Sequence, residues 1–380
     1  MHSPLPAASP NSPVILVVAI SGRSLATAAR NAGYRVLVAD LFNDTDTCRL
    51  AERVAILPGS LQDGIDETEI VPNLRELVGR DRPDALVYGS GFERRPELID
   101  LLASAFPVAG NSAETVRRVK DPSSLASLCA GIGIPHPQIR YDVPEDRRGW
   151  LSKVPGGAGG SHVRPATSSG RSPPGSYFQR QVPGNGLSAL FLADRGRACI
   201  VGYSRQWPSP SAASPFRYGG AVRLLRFSRE KGREIGRWLD DLVARTGLVG
   251  LCSADFIDGP EGTFLLEINP RPGATLDIFD NDDKPLLTQH LRSVRGESIE
   301  VPVFRGAVAS AIAYASRPIR RFPELQWPPL TADHQRPGSE LDAGDPVCTV
   351  LAQARSAAAA ERAVKARISE LTPHWEEYAG

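Results

Sequence analysis

The pattern over residues 14–42 constrains the fold of this chain most. The apolar run VILVVAI at 14–20 is followed by the turn SGRS, a segment with helical spacing and a second apolar run, RVLVADLF. Strand, turn, helix and strand at this length are typical of a βαβ unit with parallel strands. Apolar runs and amphipathic segments keep alternating beyond it. Residues 14–112 are therefore expected to form an open α/β sheet with helices on both faces.

Charge and composition exclude several classes of protein. Lys+Arg is 44 and Asp+Glu is 43, so the net charge of +1 gives no field that would hold a nucleic acid or an anionic membrane. No stretch reaches the roughly 18 unbroken apolar residues of a membrane span. Residues 1–13 lack the basic and apolar regions of a secretory signal and are expected to be a disordered tail. We therefore expect a cytoplasmic protein.

Two features that could indicate other chemistry are incomplete. The five cysteines are odd in number and none forms a CxxC pair, which favours buried, reduced thiols over a catalytic or zinc-bound cysteine. The SGRS turn lacks the second and third glycines of a dinucleotide fingerprint, so NAD is not expected there. The chemistry must therefore come from other segments.

Lysine is scarce in this chain, which makes its positions informative. Only five of the 44 basic residues are lysines: Lys120, Lys153, Lys231, Lys284 and Lys365. Arginine stands wherever any cation serves, so a retained lysine indicates a need for a compact, mobile ammonium group. Such a group can reach a single phosphate oxygen.

Lys153 lies directly before a glycine-rich loop. The segment WLSKVPGGAGGS predicts a short strand carrying Lys153 and then a loop with Gly157, Gly159, Gly160 and Ser161. Glycines permit tight turns, so that successive N–H groups can approach phosphate oxygens, and the lysine adds a positive charge. The spacing is not that of a Walker P-loop. A surface turn without function is the alternative.

Two apolar segments, LCSADFI and TFLLEIN, carry acidic residues. The turn DGPEG between them predicts an antiparallel hairpin with Asp255 roughly opposite Glu267. Glu267 and Asn269 are two residues apart and therefore point to one face. Three oxygen ligands on one face, two of them anionic, suit Mg²⁺ that also binds substrate phosphates. Carboxylates in such apolar strands are costly unless paired, and ion pairs with nearby arginines are the alternative.

Arg271 follows the second of these strands in the segment NPRPG. Two prolines fix the chain there, which positions Arg271 beside the predicted metal ligands. A guanidinium can hold a transferring phosphoryl group or a carboxylate through two hydrogen bonds. A solvated turn arginine is the alternative. Together the three motifs predict Mg-nucleotide chemistry without a P-loop.

The order of these motifs resembles the ATP-grasp superfamily. Lys120, Lys153 with its glycine loop, a strand at 177–182, Asp255 and the EINPR segment extend the resemblance over about residues 14–300. It implies an α/β and α+β protein of ATP-grasp fold, with an N-terminal Rossmann-like lobe and a small C-terminal lobe. The implied divisions are a Rossmann-like domain at 14–112, an ATP-grasp domain at 113–300 with a lid lobe at about 134–182, and a C-terminal lobe and helix at 301–380.

For the nucleotide, ATP, the resemblance implies two sets of contacts. The phosphates are bound by two lysines and a lid loop: Lys120, Lys153, Gly157, Gly159, Gly160 and Ser161. The hinge between the lobes reads the adenine edge with four residues: Gln179, Arg180, Gln181 and Val182. Many members have an acidic residue for the ribose where this chain has PGNGLS, which leaves that role to Asn185, Gly186, Ser188 or a residue elsewhere.

For the chemistry, the resemblance implies a metal site and two catalytic residues. Asp255, Glu267 and Asn269 are expected to bind two Mg²⁺ ions, which Mn²⁺ can replace. Lys153 and Arg271 are expected to stabilise the transition state that leads to an acyl phosphate. His162, in the lid loop, is either a contributor to proton transfer or a solvent-facing loop residue.

Residues 303–353 narrow the resemblance. This tail, with IAYASRPIRRF, WPPL and PGSELDAGDPVCTVLA, is similar to predicted ATP-dependent carboligases of the tetrahydromethanopterin- and methanofuran-linked one-carbon pathway. The similarity implies a carboxylate–amine ligase that joins glutamate to a tyrosine- or tyramine-like amine through an acyl phosphate. The alternatives are a small-molecule kinase of the same fold and a non-catalytic nucleotide-binding subunit. The expected partners are small molecules, without nucleic acid or membrane, and a homodimer is left open.

Overall fold

The structure is a computed structural model that describes residues 8–61, 64–168, 172–281 and 283–379. Of the disordered tail predicted at 1–13, residues 1–7 lie outside the described residues, and residues 8–13 precede the first strand as turns and irregular chain. In the described part of the chain, no helix is both long and apolar enough to cross a membrane.

The N-terminal third alternates strands and helices, as the sequence predicts. Its elements are β1 (Val14–Val18), α1 (Arg23–Asn31), β2 (Arg35–Asp40), α2 (Thr45–Leu50), β3 (Arg53–Ile56), β4 (Gly59–Ser60), β5 (Gly64–Ile65), α3 (Ile70–Val78), β6 (Ala85–Tyr88) and α4 (Glu97–Ala103). Strands β3, β2, β1 and β6 pair in parallel in that order. Alternate residues of β1 pack towards α1 on one face and towards α3 and α4 on the other.

Two short helices follow and place Lys120. They are α5 (Ala113–Lys120) and α6 (Pro122–Ile132). Ser112 caps α5 by accepting a hydrogen bond from Thr115 N. Pro122 cannot continue α5 but fits the first turn of α6, which the Asp121 side chain caps. Lys120 therefore stands at the C-terminal end of a helix whose position is fixed on both sides.

A small antiparallel sheet carries Lys153. Its strands are β7 (Ile139–Arg140), β8 (Trp150–Lys153), β9 (Val163–Pro165) and β10 (Tyr177–Arg180), paired in the order β7-β10-β8-β9. Tyr177 lies opposite Lys153. Because side chains alternate along a strand, Lys153, Tyr177 and Gln179 share one face.

A long antiparallel hairpin array forms the centre of the molecule. Its elements are β11 (Asn185–Asp194), β12 (Arg197–Pro208), β13 (Tyr218–Arg223), α7 (Arg229–Thr246), β14 (Gly250–Gly259), β15 (Gly262–Asn269), α8 (Leu276–Phe279) and α9 (Leu286–Val294). Helix α7 buries Ile235, Leu239 and Leu242 against one face of these strands. On the other face, α8 and α9 share a core with α1 and β1 of the N-terminal sheet. This shared core fixes the N-terminal strand ends beside β15.

The C-terminal residues extend the same sheet. Their elements are β16 (Ala307–Tyr314), β17 (Thr331–Ala332), β18 (Pro346–Ala354), α10 (Ala357–Leu371) and α11 (Pro373–Glu376). Strand β16 pairs with β13, which gives the order β15-β14-β11-β12-β13-β16-β18-β17. The small C-terminal lobe is therefore joined to the centre by strand pairing and not only by packing. The domain limits at 112 and 300 stay predictions.

A buried arginine links three parts of the chain. Arg23, the first residue of α1, donates hydrogen bonds to both carboxylate oxygens of Asp277 in α8. It also donates to Asp333, after β17, from Nε at 3.0 Å and from a terminal nitrogen at 2.8 Å. The side chains of Arg23 and Asp277 are only 7% and 8% exposed. The SGRS turn thus carries an interdomain ion pair.

We predict that Arg23→Ala lowers the free energy of unfolding by about 3–5 kcal/mol, because the change leaves buried carboxylates without their counterion. Chemical denaturation at pH 7 measures the loss. Arg148→Ala is the matched control, since the Arg148–Asp146 ion pair is exposed on both sides and such pairs contribute little. Equal shifts in the two variants would contradict a structural role for the Arg23 pair.

Candidate active site

Asp255 and Glu267 face each other across β14 and β15, which confirms the predicted hairpin. The register pairs Asp255 with Glu267 and Ser253 with Asn269, with a bulge directly after Asp255. Asn269 donates its side-chain amide to Asp255, with Nδ2 and Oδ2 2.8 Å apart. The three residues predicted as metal ligands therefore lie together on one face of the sheet.

Lys120 brings a positive charge to this cluster. Its Nζ donates to Glu267 Oε2 at 3.2 Å and to Asn269 Oδ1 at 2.8 Å. The Lys120 side chain is 6% exposed, whereas that of Glu267 is 34% exposed. The ammonium thus neutralises a carboxylate at the place where the sequence predicts a metal ion, next to the cleft where it predicts phosphates.

The two carboxylates differ in acidity. Burial, and then the charge of Glu267, raise the pKa of Asp255. Partial burial opposes ionisation of Glu267 as well, but the charges of Lys120 and Lys153 outweigh it and lower the pKa of Glu267. Asp255 is consequently a carboxylate that lacks a sufficient counter-charge of its own. A cation bound beside it would favour its ionised form.

These residues fit a hard divalent cation. Two carboxylates and an amide oxygen provide the oxygen ligands that Mg²⁺ prefers. Within the described ranges, no group of three or more His, Cys, Asp or Glu side chains could hold a metal ion. An ion here would therefore complete its coordination with substrate phosphates and water, as is usual for Mg²⁺ in nucleotide enzymes.

Lys153 points into the same cleft from the small sheet. Its Nζ donates to Gln179 Oε1 at 3.1 Å and lies 6.0 Å from the centre of the Tyr177 ring. Burial lowers the pKa of Lys153, and the charge of Glu267 opposes this shift. The remaining lysines instead form surface ion pairs: Lys231 with Asp258, Lys284 with Glu300 and Lys365 with Glu361. The scarcity of lysine thus singled out the two buried ones.

A cleft opens between α5, the small sheet and β15. Its charged and polar lining consists of Lys120, Lys153, Gln179, Glu267, His136 and His162. Apolar walls come from Val119, Leu125, Val154 and Leu266. Apolar surface for a planar base beside two ammonium groups and a carboxylate suits a nucleotide.

The first part of the glycine loop lines this cleft. Gly156 and Gly157 belong to the lining. Gly156 has φ of 69°, and a Cβ at this position would come within 2.5 Å of the Glu93 carbonyl oxygen. A Cβ at Gly157 would clash with the His162 ring. Both contacts require glycine. The contact at Gly156 holds the loop against the turn that carries Glu93, and the contact at Gly157 packs the loop against its own His162.

The second part of the loop contacts the chain before β13. The Gly159 carbonyl oxygen accepts a hydrogen bond from Tyr218 N at 2.8 Å. Gly160 has φ of 73° and lies against the Phe216 carbonyl oxygen too closely for a Cβ. Ser161 is exposed. The cleft lining does not include these three predicted phosphate ligands among its residues.

Only part of the predicted hinge faces the cleft. Gln179 is buried in its lining. Arg180 lies on the opposite face of β10, where its guanidinium donates to the Arg148 carbonyl oxygen and stacks over Trp150. Gln181 is exposed and Val182 is half-buried. Strand alternation is the physical reason why neighbouring hinge residues point to opposite sides.

The residues considered for binding the ribose also lie apart from one another. Asn185 is exposed at the start of β11, and Gly186 pairs with Gln206 of β12. Ser188 lies opposite Asp255 on β14, so it belongs to the carboxylate cluster. Gln206 also reaches this cluster and donates from Nε2 to Asp255 Oδ1 at 3.2 Å.

His136 and His162 line the cleft as neutral side chains. Burial lowers the pKa of each to about 4. His162 is therefore packed into the lid and not turned to solvent. For His162 the charge of Glu267 opposes this shift, but the loss of hydration outweighs it.

Arg271 is held by the N-terminal domain. Its Nε donates to Glu93 Oε1 at 2.7 Å, and both side chains are largely buried. Three residues of the site were not predicted from the sequence: Glu93, Asn111 and His136. Glu93 follows β6, and ligand sites in doubly wound sheets gather at the carboxyl ends of strands, so topology was the available signal.

Part of the chain matches a known protein family. Residues 128–275 match a family model described as an ATP-grasp domain. No curated protein matches the sequence. The family match covers α7, β14 and β15 as well as the small sheet, and so includes Lys153, Asp255, Glu267 and Arg271.

Solved structures resemble nearly the whole chain. The L-amino acid ligase from Bacillus licheniformis has a TM-score of 0.69 and 12% identity, covering 95% of this chain and 98% of that one. N5-carboxyaminoimidazole ribonucleotide synthetase, solved with ADP, has a TM-score of 0.68 and 13% identity, covering 96% and 98%. The biotin carboxylase domain of Hydrogenobacter thermophilus 2-oxoglutarate carboxylase, a dimer with MgADP and bicarbonate, has 0.67 and 14%, covering 90% and 86%.

These likenesses agree with the architecture built up from the residues. At such low identity they show the fold alone, and they extend it from the family match to both ends of the described chain. Residues 128–275 therefore match an ATP-grasp domain, and the chain has the ATP-grasp fold, with a Rossmann-like N-terminal sheet.

Proposed function

We propose that this protein is an ATP-dependent carboxylate–amine ligase that releases ADP and phosphate. One observation carries the proposal: two buried lysines meet Glu267, one member of the carboxylate pair, in a cleft that Gly156 and Gly157 also line. The fold supports it, since structures with this fold include an L-amino acid ligase. The narrower match to carboligases of one-carbon metabolism belongs to this proposal as well.

Each side of the cleft has a share in nucleotide binding. Lys120 and Lys153 contact the phosphates, and Gln179 lies where a base would be read. Arg180, Gln181 and Val182 contribute through backbone groups. Gly156 and Gly157 approach the phosphates, and Gly159, which accepts a hydrogen bond from Tyr218 N of β13, anchors the part of the loop that carries Gly160 and Ser161.

The carboxylate cluster would hold Mg²⁺. Asp255, Glu267 and Asn269 would bind two ions, which Mn²⁺ can replace, and the bound metal would neutralise phosphate charge. Asp255 would then be ionised beside it, because the added positive charge offsets its burial. Lys120 would exchange its contact with Glu267 for a phosphate oxygen. This exchange places a second positive charge at the transferring group.

The reaction consists of two transfers. The γ-phosphorus of ATP forms a bond to a substrate carboxylate oxygen as its bond to the β-phosphate oxygen breaks, which yields an acyl phosphate and ADP. An amine nitrogen then bonds to the acyl carbon, the carbon–oxygen bond to phosphate breaks, and the amine proton passes to the departing phosphate. Lys153 and Arg271 stabilise the charge that develops. The closed loop excludes water, which would otherwise hydrolyse the acyl phosphate.

The most specific part of the proposal is the identity of the two substrates. Glutamate as the carboxylate and a tyrosine- or tyramine-like amine as the acceptor follow from the resemblance of residues 303–353. A cytoplasmic location and a homodimer are part of the same proposal. All of these depend on the resemblance and not on a contact in the cleft.

The test is ADP and phosphate release from Mg-ATP with pooled carboxylates, including glutamate, and pooled amines, including tyrosine and tyramine. We expect release only when both pools are present. Lys153→Ala should reduce it by about 100-fold or more, because a charge aimed at the transition state is lost. Lys284→Ala is the matched control, since that lysine forms a surface ion pair.

Other outcomes identify the rival functions. Release with one pool alone would indicate a kinase. Nucleotide binding without release would favour a non-catalytic subunit. Normal ADP release by a folded Lys153→Ala variant would contradict the role of Lys153 and, with it, the proposed site.

We predict that Glu267→Gln raises the Mg²⁺ concentration needed for half-maximal activity by about 10-fold or more, because an anionic ligand is lost. A titration of activity against Mg²⁺ at fixed ATP measures the change. Glu300→Gln, which alters an exposed ion pair with Lys284, should leave the titration unchanged. An unchanged titration in Glu267→Gln would show that the metal ion binds elsewhere and not at Glu267.

A further inference from the structure

Arg271 has a fixed partner from a distant part of the sequence. Its Nε–H donates to Glu93 Oε1 at 2.7 Å across 178 positions of the chain. The side chains of Arg271 and Glu93 are 11% and 4% exposed. An ion pair this well buried holds one geometry, because neither group can exchange its partner for water.

The Glu93 carboxylate is itself held in place. Its second oxygen, Oε2, accepts hydrogen bonds from the backbone N–H groups of Gly91 at 2.9 Å and Phe92 at 3.1 Å. Phe92 is fully buried and packs edge-on against Tyr88 of β6. Burial opposes ionisation of Glu93, but the charges of Arg271 and Lys120 and the backbone hydrogen bonds together outweigh it, so the pKa of Glu93 is lowered. The carboxylate therefore stays ionised and rigid.

The backbone before Arg271 is fixed from the same domain. Asn111 donates from Nδ2 to the Pro270 carbonyl oxygen at 2.9 Å. Its Oδ1 accepts a hydrogen bond from Val249 N at 2.8 Å, and the residue is 1% exposed. Asn111 thus sets the path of the chain, and Glu93 sets the direction of the guanidinium.

The turn that carries Glu93 also supports the glycine loop. The Glu93 carbonyl oxygen and the Arg94 backbone lie against Gly156, with no room for a Cβ. Glu93 therefore contacts Arg271 through its side chain and the glycine loop through its main chain. In the proposed function, both of these groups act at the transferring phosphoryl group. The turn after β6 connects the loop to Arg271.

We infer that Glu93 is a positioning residue that orients Arg271 towards the transferring phosphoryl group, with Asn111 fixing the backbone behind it. The inference rests on the proposed function, which assigns Arg271 to that group. Glu93 contacts no substrate in this account and acts through the guanidinium. Its contribution is to the transition state and not to nucleotide affinity.

The test uses Glu93→Gln. Three N–H groups point at the carboxylate, and an amide accepts on one oxygen only, so its NH₂ group must oppose at least one of them. Asp277→Asn is the matched control, because it alters another buried interdomain ion pair away from the cleft. Melting temperatures establish that both variants fold.

Binding is probed with MgADP alone and with MgADP plus aluminium fluoride, which mimics a transferring phosphoryl group. In the wild type, aluminium fluoride should raise the melting temperature beyond MgADP alone. Glu93→Gln and Arg271→Ala should keep the MgADP shift and lose the increment, and the double variant should lose no more than either single variant. Asp277→Asn should keep the increment at a lower overall melting temperature.

Two outcomes would overturn the inference. One is a full increment in Glu93→Gln while Arg271→Ala loses it, and the other is losses that add in the double variant. If Arg271→Ala keeps the increment, the proposed role of Arg271 fails instead. A crystal structure of Glu93→Gln then decides the positioning itself: a displaced guanidinium supports it, and an unmoved one overturns it.

Discussion

The contact between Lys120 and the pair Glu267–Asn269 is the interaction on which the site depends. It joins the end of α5 to the edge strand β15, and so brings a mobile ammonium to a carboxylate cluster that holds excess negative charge. Lys153 points into the same cleft from the small sheet. A site built from opposite charges can bind a polyanion and a cation at the same time. The polyanion then replaces the carboxylate beside the lysine, and the cation replaces the lysine beside the carboxylate.

The N-terminal sheet positions this chemistry without belonging to the grasp domain. It shares a core with α8 and α9, places Arg23 in a buried ion pair with Asp277, and directs Glu93 to Arg271. The Glu93 contact holds the NPRPG turn itself, and the other two hold α8 and α9 further along the chain. The Rossmann-like sheet therefore serves as a rigid support for the NPRPG turn.

Much of the fold and of the site could be predicted from local sequence patterns, whereas contacts between distant segments could not. The βαβ alternation, the hairpin that pairs Asp255 with Glu267, and the two buried lysines all follow from short segments or composition. The Glu93–Arg271 pair spans 178 positions, and no local pattern announces it. The pairing of β16 with β13 is also long-range, since it joins Ala311 to Gly220. The Arg180 side chain lies on the face of β10 away from the cleft, so its role in reading the adenine edge stays a prediction.

The central claim is that this cleft binds a magnesium nucleotide through the carboxylate cluster. Isothermal titration calorimetry of the whole chain with ATP, with and without Mg²⁺, tests it most directly, with Asp255→Asn alongside the wild type. We expect saturable binding that Mg²⁺ strengthens in the wild type, and loss of the Mg²⁺-dependent part in the variant. No binding at millimolar ATP, or an equal effect of Mg²⁺ in both proteins, would contradict the account.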